Sequence, residues 1–263
     1  MSLKYKYISD IKASGANFIL TKFLPIPKNA VTLLSASGGT GKTRLSLVMA
    51  DRHIQATGET VALWLTEDYE GQVRETCDEM AKYGIIQADS INKMMLIIEE
   101  PPQLAKREKG LFKANYKEIK EIGETLILHE VGLVVFDPLL AFYGGQENDN
   151  SEARVFIQAF AEWAKIAEIT TIIIHHANKD GGSRGATAFH DGVRARYELK
   201  VPMNGEDVNK ELLSRGFRVA KLMKDNWGAR KYLWRLTDGK DEITLKIMPP
   251  LITEEVIEYK EDA

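Results

Sequence analysis

The sequence predicts an α/β fold, with a mostly parallel, twisted sheet that carries helices on both faces and gains antiparallel strands at its C-terminal edge. Three observations predict it. Apolar runs of strand length alternate with helical patterns over 30–190, a glycine-rich turn joins the first strand to the first helix, and closely spaced β-rich segments fill 191–250. Residues 1–29 then read as an N-terminal extension and 251–263 as a tail, all within a single domain.

The first strand is expected over 30–34 and the first helix from 42 to about 56, with Leu45, Leu47, Val48 and Ile54 as core positions. A strand over 61–65, a polar helix around 72–83 and a strand over 94–98 follow, the last stopped by Pro101 and Pro102. The stretch 103–114 reads as a basic linker. A helix over 116–129 leads to the run 131–136, whose continuous apolar character suits a strand covered on both faces. Ser151 is the expected N-cap of a helix through about 167, and 170–174 reads as another buried strand. This alternation implies parallel strands joined by right-handed crossovers. Beyond 190, the segments 193–201, 217–223, 231–236 and 243–247 read as antiparallel strands separated by turns such as Asp238-Gly239.

Composition narrows the function classes. With 263 residues, 44% hydrophobic and 28% charged, the chain can bury a core of α/β size and does not resemble a disordered protein. A net charge of -3 gives no strong field to attract nucleic acid, so any DNA contact has to come from local basic loops. The single cysteine, Cys77, excludes an intramolecular disulfide and a thiolate metal cluster and reads as a buried structural thiol. No apolar run approaches the ~20 residues that cross a bilayer, and the first residues lack a signal-peptide core, so a soluble cytoplasmic protein without membrane contact is expected.

The chemistry-bearing residues cluster at predicted strand ends. Ala36-Ser37-Gly38-Gly39-Thr40-Gly41-Lys42-Thr43 fits the phosphate-loop pattern G-x-x-x-x-G-K-[ST], except that Ala36 stands where its first glycine is expected. Glycines let main-chain N–H groups turn around anionic oxygens, and the following helix adds its positive end. ATP is the expected ligand, with Ser37 through Arg44 as its binding residues, Lys42 on the terminal phosphates and Thr43 on Mg²⁺.

Asp137 ends the apolar run 131–136, where a carboxylate can hold that metal through water; Pro138 makes a plain turn aspartate the alternative. Glu67-Asp68 ends the strand that follows the phosphate-loop helix, and reads either as a base or water-orienting carboxylate or as a solvated helix cap. Of His175-His176, one is expected to touch the γ-phosphate and the other to pack. A zinc site is disfavoured because neighbouring residues on a strand point to opposite faces. The cations Lys179, Arg184, Arg194, Arg196, Lys221, Lys224 and Arg230 read either as protection of an edge strand or as a source of an arginine for a neighbouring subunit.

Taken together these residues resemble the RepA-like hexameric replicative helicases, a RecA-fold family of plasmid and phage proteins, over nearly the whole chain. The likeness lies in the phosphate loop, in Leu65-Thr66-Glu67-Asp68, and in Val134-Val135-Phe136-Asp137-Pro138-Leu139 followed by Phe142-Tyr143-Gly144-Gly145 and Glu147-Asn148-Asp149. It continues in His175-His176 with Lys179, in Ser183-Arg184-Gly185, in Asp191-Gly192-Val193-Arg194, and in Lys221 through Lys224 with Asn226-Trp227-Gly228. Ala36 and the segment 185–190 depart from the family's usual residues.

The resemblance implies a RecA-like P-loop core in which Lys42 and Thr43 bind phosphate and Mg²⁺, Glu67 is the catalytic carboxylate and Asp137 a metal ligand. It further implies that His176 senses the γ-phosphate and that Arg194 is an arginine finger reaching a neighbour's site. The expected activity is that of an ATPase and single-stranded DNA helicase working as a hexameric homo-oligomer. Its DNA contacts would come from loops at about 143–152 and 177–187, with Lys179, Arg184, Phe142 and Tyr143 as the available groups. A recombination mediator or regulatory ATPase of the same fold, without helicase activity, is the alternative.

Overall fold

The structure, a computed structural model, describes residues 6–10, 15–176 and 187–251. Lys179, Arg184, most of the expected loop 177–187 and the tail beyond Leu251 lie outside the described residues.

A short ladder of β1 (Phe18–Ile19) and β2 (Ile26–Pro27) precedes β3 (Val31–Ala36), which leads through the glycine-rich turn into α1 (Lys42–Thr57). Then come β4 (Thr60–Leu65), α2 (Glu70–Lys82), β5 (Met94–Leu96), β6 (Ala105–Glu108), β7 (Leu111–Ala114), α3 (Tyr116–Leu128) and β8 (Val131–Asp137). The chain continues through β9 (Tyr143–Gly144), α4 (Asn150–Ala167), β10 (Thr170–His176), α5 (Ala188–Gly192) and β11 (Ala195–Lys200). A small hairpin of β12 (Met203–Asn204) and β13 (Asp207–Val208) is followed by α6 (Lys210–Ser214), β14 (Phe217–Asp225), α7 (Ala229–Thr237) and β15 (Glu242–Lys246).

The main sheet has eight strands in the order β15-β14-β11-β3-β10-β8-β4-β5. From β11 to β5 all neighbours run parallel, and β14 and β15 add antiparallel partners at one edge. The apolar runs explain the parallel part. On β8, Leu133 and Val135 join a core with Leu45, Leu47 and Val48 of α1, whereas Val134 and Phe136 join a second core with Phe156 and Phe160 of α4. Both faces are therefore covered, which is why the run does not alternate with polar residues. Phe136 centres the second core, with ring centroids of Phe142 at 5.0 Å and Phe160 at 5.2 Å. Truncating such a ring to alanine costs about 3–5 kcal/mol.

Several expectations are corrected. The basic linker over 103–114 is the β6–β7 hairpin, closed by Lys109 and Gly110 at φ 49° and 82° and paired through Ala105 and Lys106 with β9. Two residues at positive φ match the right-handed twist of flanking strands, and here Lys109 takes the first position, where asparagine is usual. Helix α4 is capped by Asp149, whose carboxylate accepts from the N–H groups of Ser151 and Glu152; Ser151 itself lies inside the helix.

The segment 231–236 is not a strand but the middle of α7. The Asp225 carboxylate gathers the N–H groups of Trp227, Gly228, Ala229 and Arg230 at 2.7–3.1 Å, and that starts a helix whose buried residues Ala229 and Leu233 lie one turn apart. Of the C-terminal strands, β11 runs parallel to β3 on one side and antiparallel to β14 on the other.

Candidate functional site

Sheet order sets the site. β10 lies between β3 and β8, so Ala36 stands beside His176, and on the far side of β8 Leu65 stands beside Asp137. In an open parallel sheet, ligands are held beyond the carboxyl ends of strands. A cleft of about 390 Å³ opens there, between the glycine-rich turn on one side and Glu67, Asp68 and α2 on the other.

The turn has the backbone that anion binding needs. Gly39 and Gly41 have φ 72° and 98°, a region costly for residues with a Cβ. Ala36, the departure from the pattern, is the last residue of β3 and has no positive φ, so a methyl is tolerated. Gly41 is the N-cap of α1 and contributes no side chain to its first-turn N–H groups, which leaves that end suited to an anion. Gly38, Gly39, Gly41, Lys42, Thr43 and Arg44 line the cleft. Ser37 and Thr40 instead brace the turn, the Thr40 hydroxyl donating to the Ser37 carbonyl at 2.8 Å.

Across the cleft the polar groups converge. Lys42 Nζ lies 3.3 Å from His176 Nδ1 and 3.5 Å from the Ser37 carbonyl. His176 Nε2 lies 3.3 Å from Glu67 Oε1, and the Thr43 hydroxyl donates to Asp68 Oδ2 at 2.9 Å. Asp137 is 5% exposed, and its Oδ1 has no hydrogen-bond partner. Burial raises the Asp137 pKa to about 7; Lys42 opposes this, and Glu67 and Asp68 add to it. His175, the neighbour on β10, is buried against Phe189 and points away from the cleft.

This donor set fits Mg²⁺. Among the described residues no group of three or more His, Cys, Asp or Glu side chains could hold a metal alone. A hard cation bound by a hydroxyl, one carboxylate and the ligand's own phosphates needs no such cage. The orphaned oxygen of Asp137 and the hydroxyl of Thr43 are the groups that would hold it.

The family model of the AAA domain matches residues 24–182, more than half of the chain, and spans the phosphate loop, Glu67, Asp137 and His176. The chain belongs to the AAA domain family. It is a P-loop ATPase, and the cleft described above is where that family membership and the geometry coincide. No curated protein matches the chain. Among the described residues no helix is long and apolar enough to cross a membrane.

The remaining expected residues of this P-loop ATPase lie elsewhere. Arg194 is exposed at the start of β11, where its N–H donates to the Val31 carbonyl, and its guanidinium stacks over Trp227 at 5.4 Å. That is the opposite end of the parallel strands from the cleft, roughly 16 Å away at about 3.3 Å per residue from Val31 to Ala36.

Of the other described cations of the basic set, Lys221 is exposed on β14 and three make contacts. Arg196 meets the His190 ring, Lys224 donates to the His190 and Asp191 carbonyls, and Arg230 pairs with Asp241 at 2.8 Å. Phe142 and Tyr143, expected to be available to bases, are 0% and 6% exposed and belong to the second core, a correction that removes them as stacking groups. Sequence reading also missed Met248, which lines the cleft beside Gly41, and Arg218 beneath the turn. Nothing local marks either, because both arrive from the far end of the chain.

Proposed function

We propose that this P-loop ATPase is a ring-forming motor of the RepA-like hexameric helicase kind, which hydrolyses ATP with Mg²⁺ and acts on single-stranded DNA in the cytoplasm, and that residues 1–263 work as one domain. The observation that carries it is the separation of Arg194 from its own cleft. Arg194 is exposed, braced by Trp227, and too far from Lys42 to reach the phosphates of the same chain. A head-to-tail neighbour would bring it there, and contacts of that kind close into rings when the rotation permits.

In this reading the glycine-rich turn and Lys42 hold the phosphates, and Thr43 and Asp137 hold the metal. Mg²⁺ held there would supply positive charge to offset the negative charge of the phosphates. Glu67 orients the attacking water, and His176, between Lys42 and Glu67, reports the γ-phosphate. Arg194 from the neighbour stabilises the charge that develops, an effect worth about 10³–10⁵ in rate in other NTPases.

A specific observation favours a second reading. Burial of Phe142 and Tyr143 leaves the loop after β8 without exposed rings for base stacking, which suits a RecA-like recombination mediator or regulatory ATPase. ATP turnover with and without single-stranded DNA, paired with unwinding of a forked duplex, separates the two. The motor predicts stimulation and unwinding, with a native mass near six-fold the chain's in an ATP analogue. Unchanged turnover and an intact fork assign the second reading.

A further inference from the structure

Arg218, on β14, is a buried cation with no acid beside it among the described residues. It is 7% exposed, and among the described residues no carboxylate lies within ion-pair distance of it. Its donors go to uncharged acceptors. Nε donates to the Thr40 carbonyl at 2.9 Å, one terminal nitrogen to the Phe217 carbonyl at 2.7 Å, and the other to the Met248 sulfur at 3.1 Å. Burial pulls its pKa below the usual arginine range, and the Arg44 guanidinium pulls the same way.

Burying a cation without a counter-charge is costly, and hydrogen bonds to uncharged acceptors offset that cost only in part. The turn directly above Arg218 is shaped for an anion. The Thr40 carbonyl and the Gly41 N–H belong to one planar trans peptide and point in opposite directions across it. Fixing the carbonyl on Arg218 therefore aims the Gly41 N–H away from β14, and the charge polarises that peptide toward donation. Met248 holds the same spot from the side, where a Cβ on Gly41 would collide with the methionine's methyl.

We propose that Arg218 is a positioning residue for phosphate binding: through the Thr40 carbonyl it holds the Gly41 N–H on the phosphates, and bound phosphate supplies its missing counter-charge. The proposal rests on the cleft binding a nucleoside polyphosphate. It assigns work to a residue outside every phosphate-loop motif.

The test compares wild type with Arg218→Met and Arg218→Lys by thermal unfolding with and without ADP and by titration with AMP and ADP. Arg218→Met is expected to keep a nucleotide-free Tm equal to or above wild type, because an uncompensated charge is gone. ADP should bind it about ten- to hundredfold more weakly, the range for a hydrogen bond to a charged group. The affinity gained from AMP to ADP and the ADP-induced rise in Tm should both shrink, and Arg218→Lys should recover part of each.

Unchanged ADP affinity in Arg218→Met overturns the proposal. So does a fall in nucleotide-free Tm with an undiminished gain from AMP to ADP, the signature of a plain strut. Should Arg218→Met fail to fold, Arg218→Lys decides, with weaker ADP binding at an unaltered nucleotide-free Tm in favour and unaltered binding against. Wild type that binds no ADP defeats the nucleotide reading as well, a result distinct from selective loss in the variants.

Discussion

Lys42 and His176 meet across the cleft, with the ammonium 3.3 Å from the ring's Nδ1. Lysine has no acceptor, so its ammonium is the donor toward Nδ1, and the ring's Nε2 lies 3.3 Å from Glu67 Oε1. His176 thereby stands between the Lys42 ammonium and the Glu67 carboxylate. Replacing it with alanine is expected to lower kcat about 10–100-fold, in keeping with a lost charge-assisted contact, while ATP affinity stays within about threefold. Equilibrium binding beside steady-state turnover checks this, and a parallel loss of binding would show that the ring merely supports Lys42.

Asp137 makes the nucleotide-free protein sensitive to pH. Its pKa is raised from 3.8 to about 7, chiefly by burial, so the folded state favours the protonated acid. That contribution is complete below about pH 4 and is lost as pH rises through about 7, at a cost of at most a few kcal/mol. Thermal unfolding of wild type should therefore weaken over this interval, and Asp137→Asn should flatten the profile. A metal ligand has to be ionised, so binding Mg²⁺ with nucleotide should release a proton near neutral pH. Calorimetry in buffers of different ionisation heat measures that release; an identical enthalpy in every buffer contradicts it.

Arg194 serves a neighbour if the ring reading holds. Arg194→Ala should retain nucleotide binding yet lose turnover by about 10³-fold or more. Lys42→Ala should be inactive for a different reason, the loss of its own site. Mixing the two inactive proteins should restore activity at about a quarter of the interfaces, those joining an intact cleft to an intact arginine. A mixture that stays dead shows that Arg194 does not act between subunits.

The Asp225 cap holds the segment on which Arg194 rests. Its carboxylate takes four main-chain N–H groups, and the Asn226 N–H donates to the Arg194 carbonyl. Burial pushes its pKa up, but the four donors outweigh that and hold the group below the usual aspartate range. Stability from this cap is present above about pH 4 and is lost as pH falls through the lowered pKa. Asp225→Ala should cost roughly 1–2 kcal/mol in unfolding measurements and loosen α7 first in hydrogen exchange. Protection in Ala229–Thr237 that is unaltered in the variant would show that packing of Leu233 alone keeps the helix.

What the sequence made legible was local. The glycine-rich turn, Lys42, Thr43 and Asp137 each announce themselves by a strand end or a neighbouring element, and the cleft assembles them as the sheet order requires. Less legible were contacts that depend on which strands become neighbours. The β6–β7 hairpin hides behind Lys109-Gly110, a turn pair without the usual asparagine, and is fastened by Tyr143–Gly144, more than 30 residues on. Helix α7 reads as a strand because 231–236 carries Tyr232 and Trp234, residues that favour strands, while the decisive signal, a carboxylate at Asp225 ahead of buried Ala229 and Leu233, is a capping arrangement. Arg218 meets Thr40 from 178 residues away, a separation over which no motif operates.

In the proposed function the main-chain cradle and Lys42 hold the triphosphate of ATP. Calorimetric titration of ATP with Mg²⁺ into wild type and Lys42→Ala, both verified as folded by circular dichroism, tests it most directly. One saturable site is expected in wild type, weakened at least about thirtyfold in the variant, as removal of a charged partner from a desolvated contact requires. Wild type that fails to bind, or a variant that binds equally well, would contradict it.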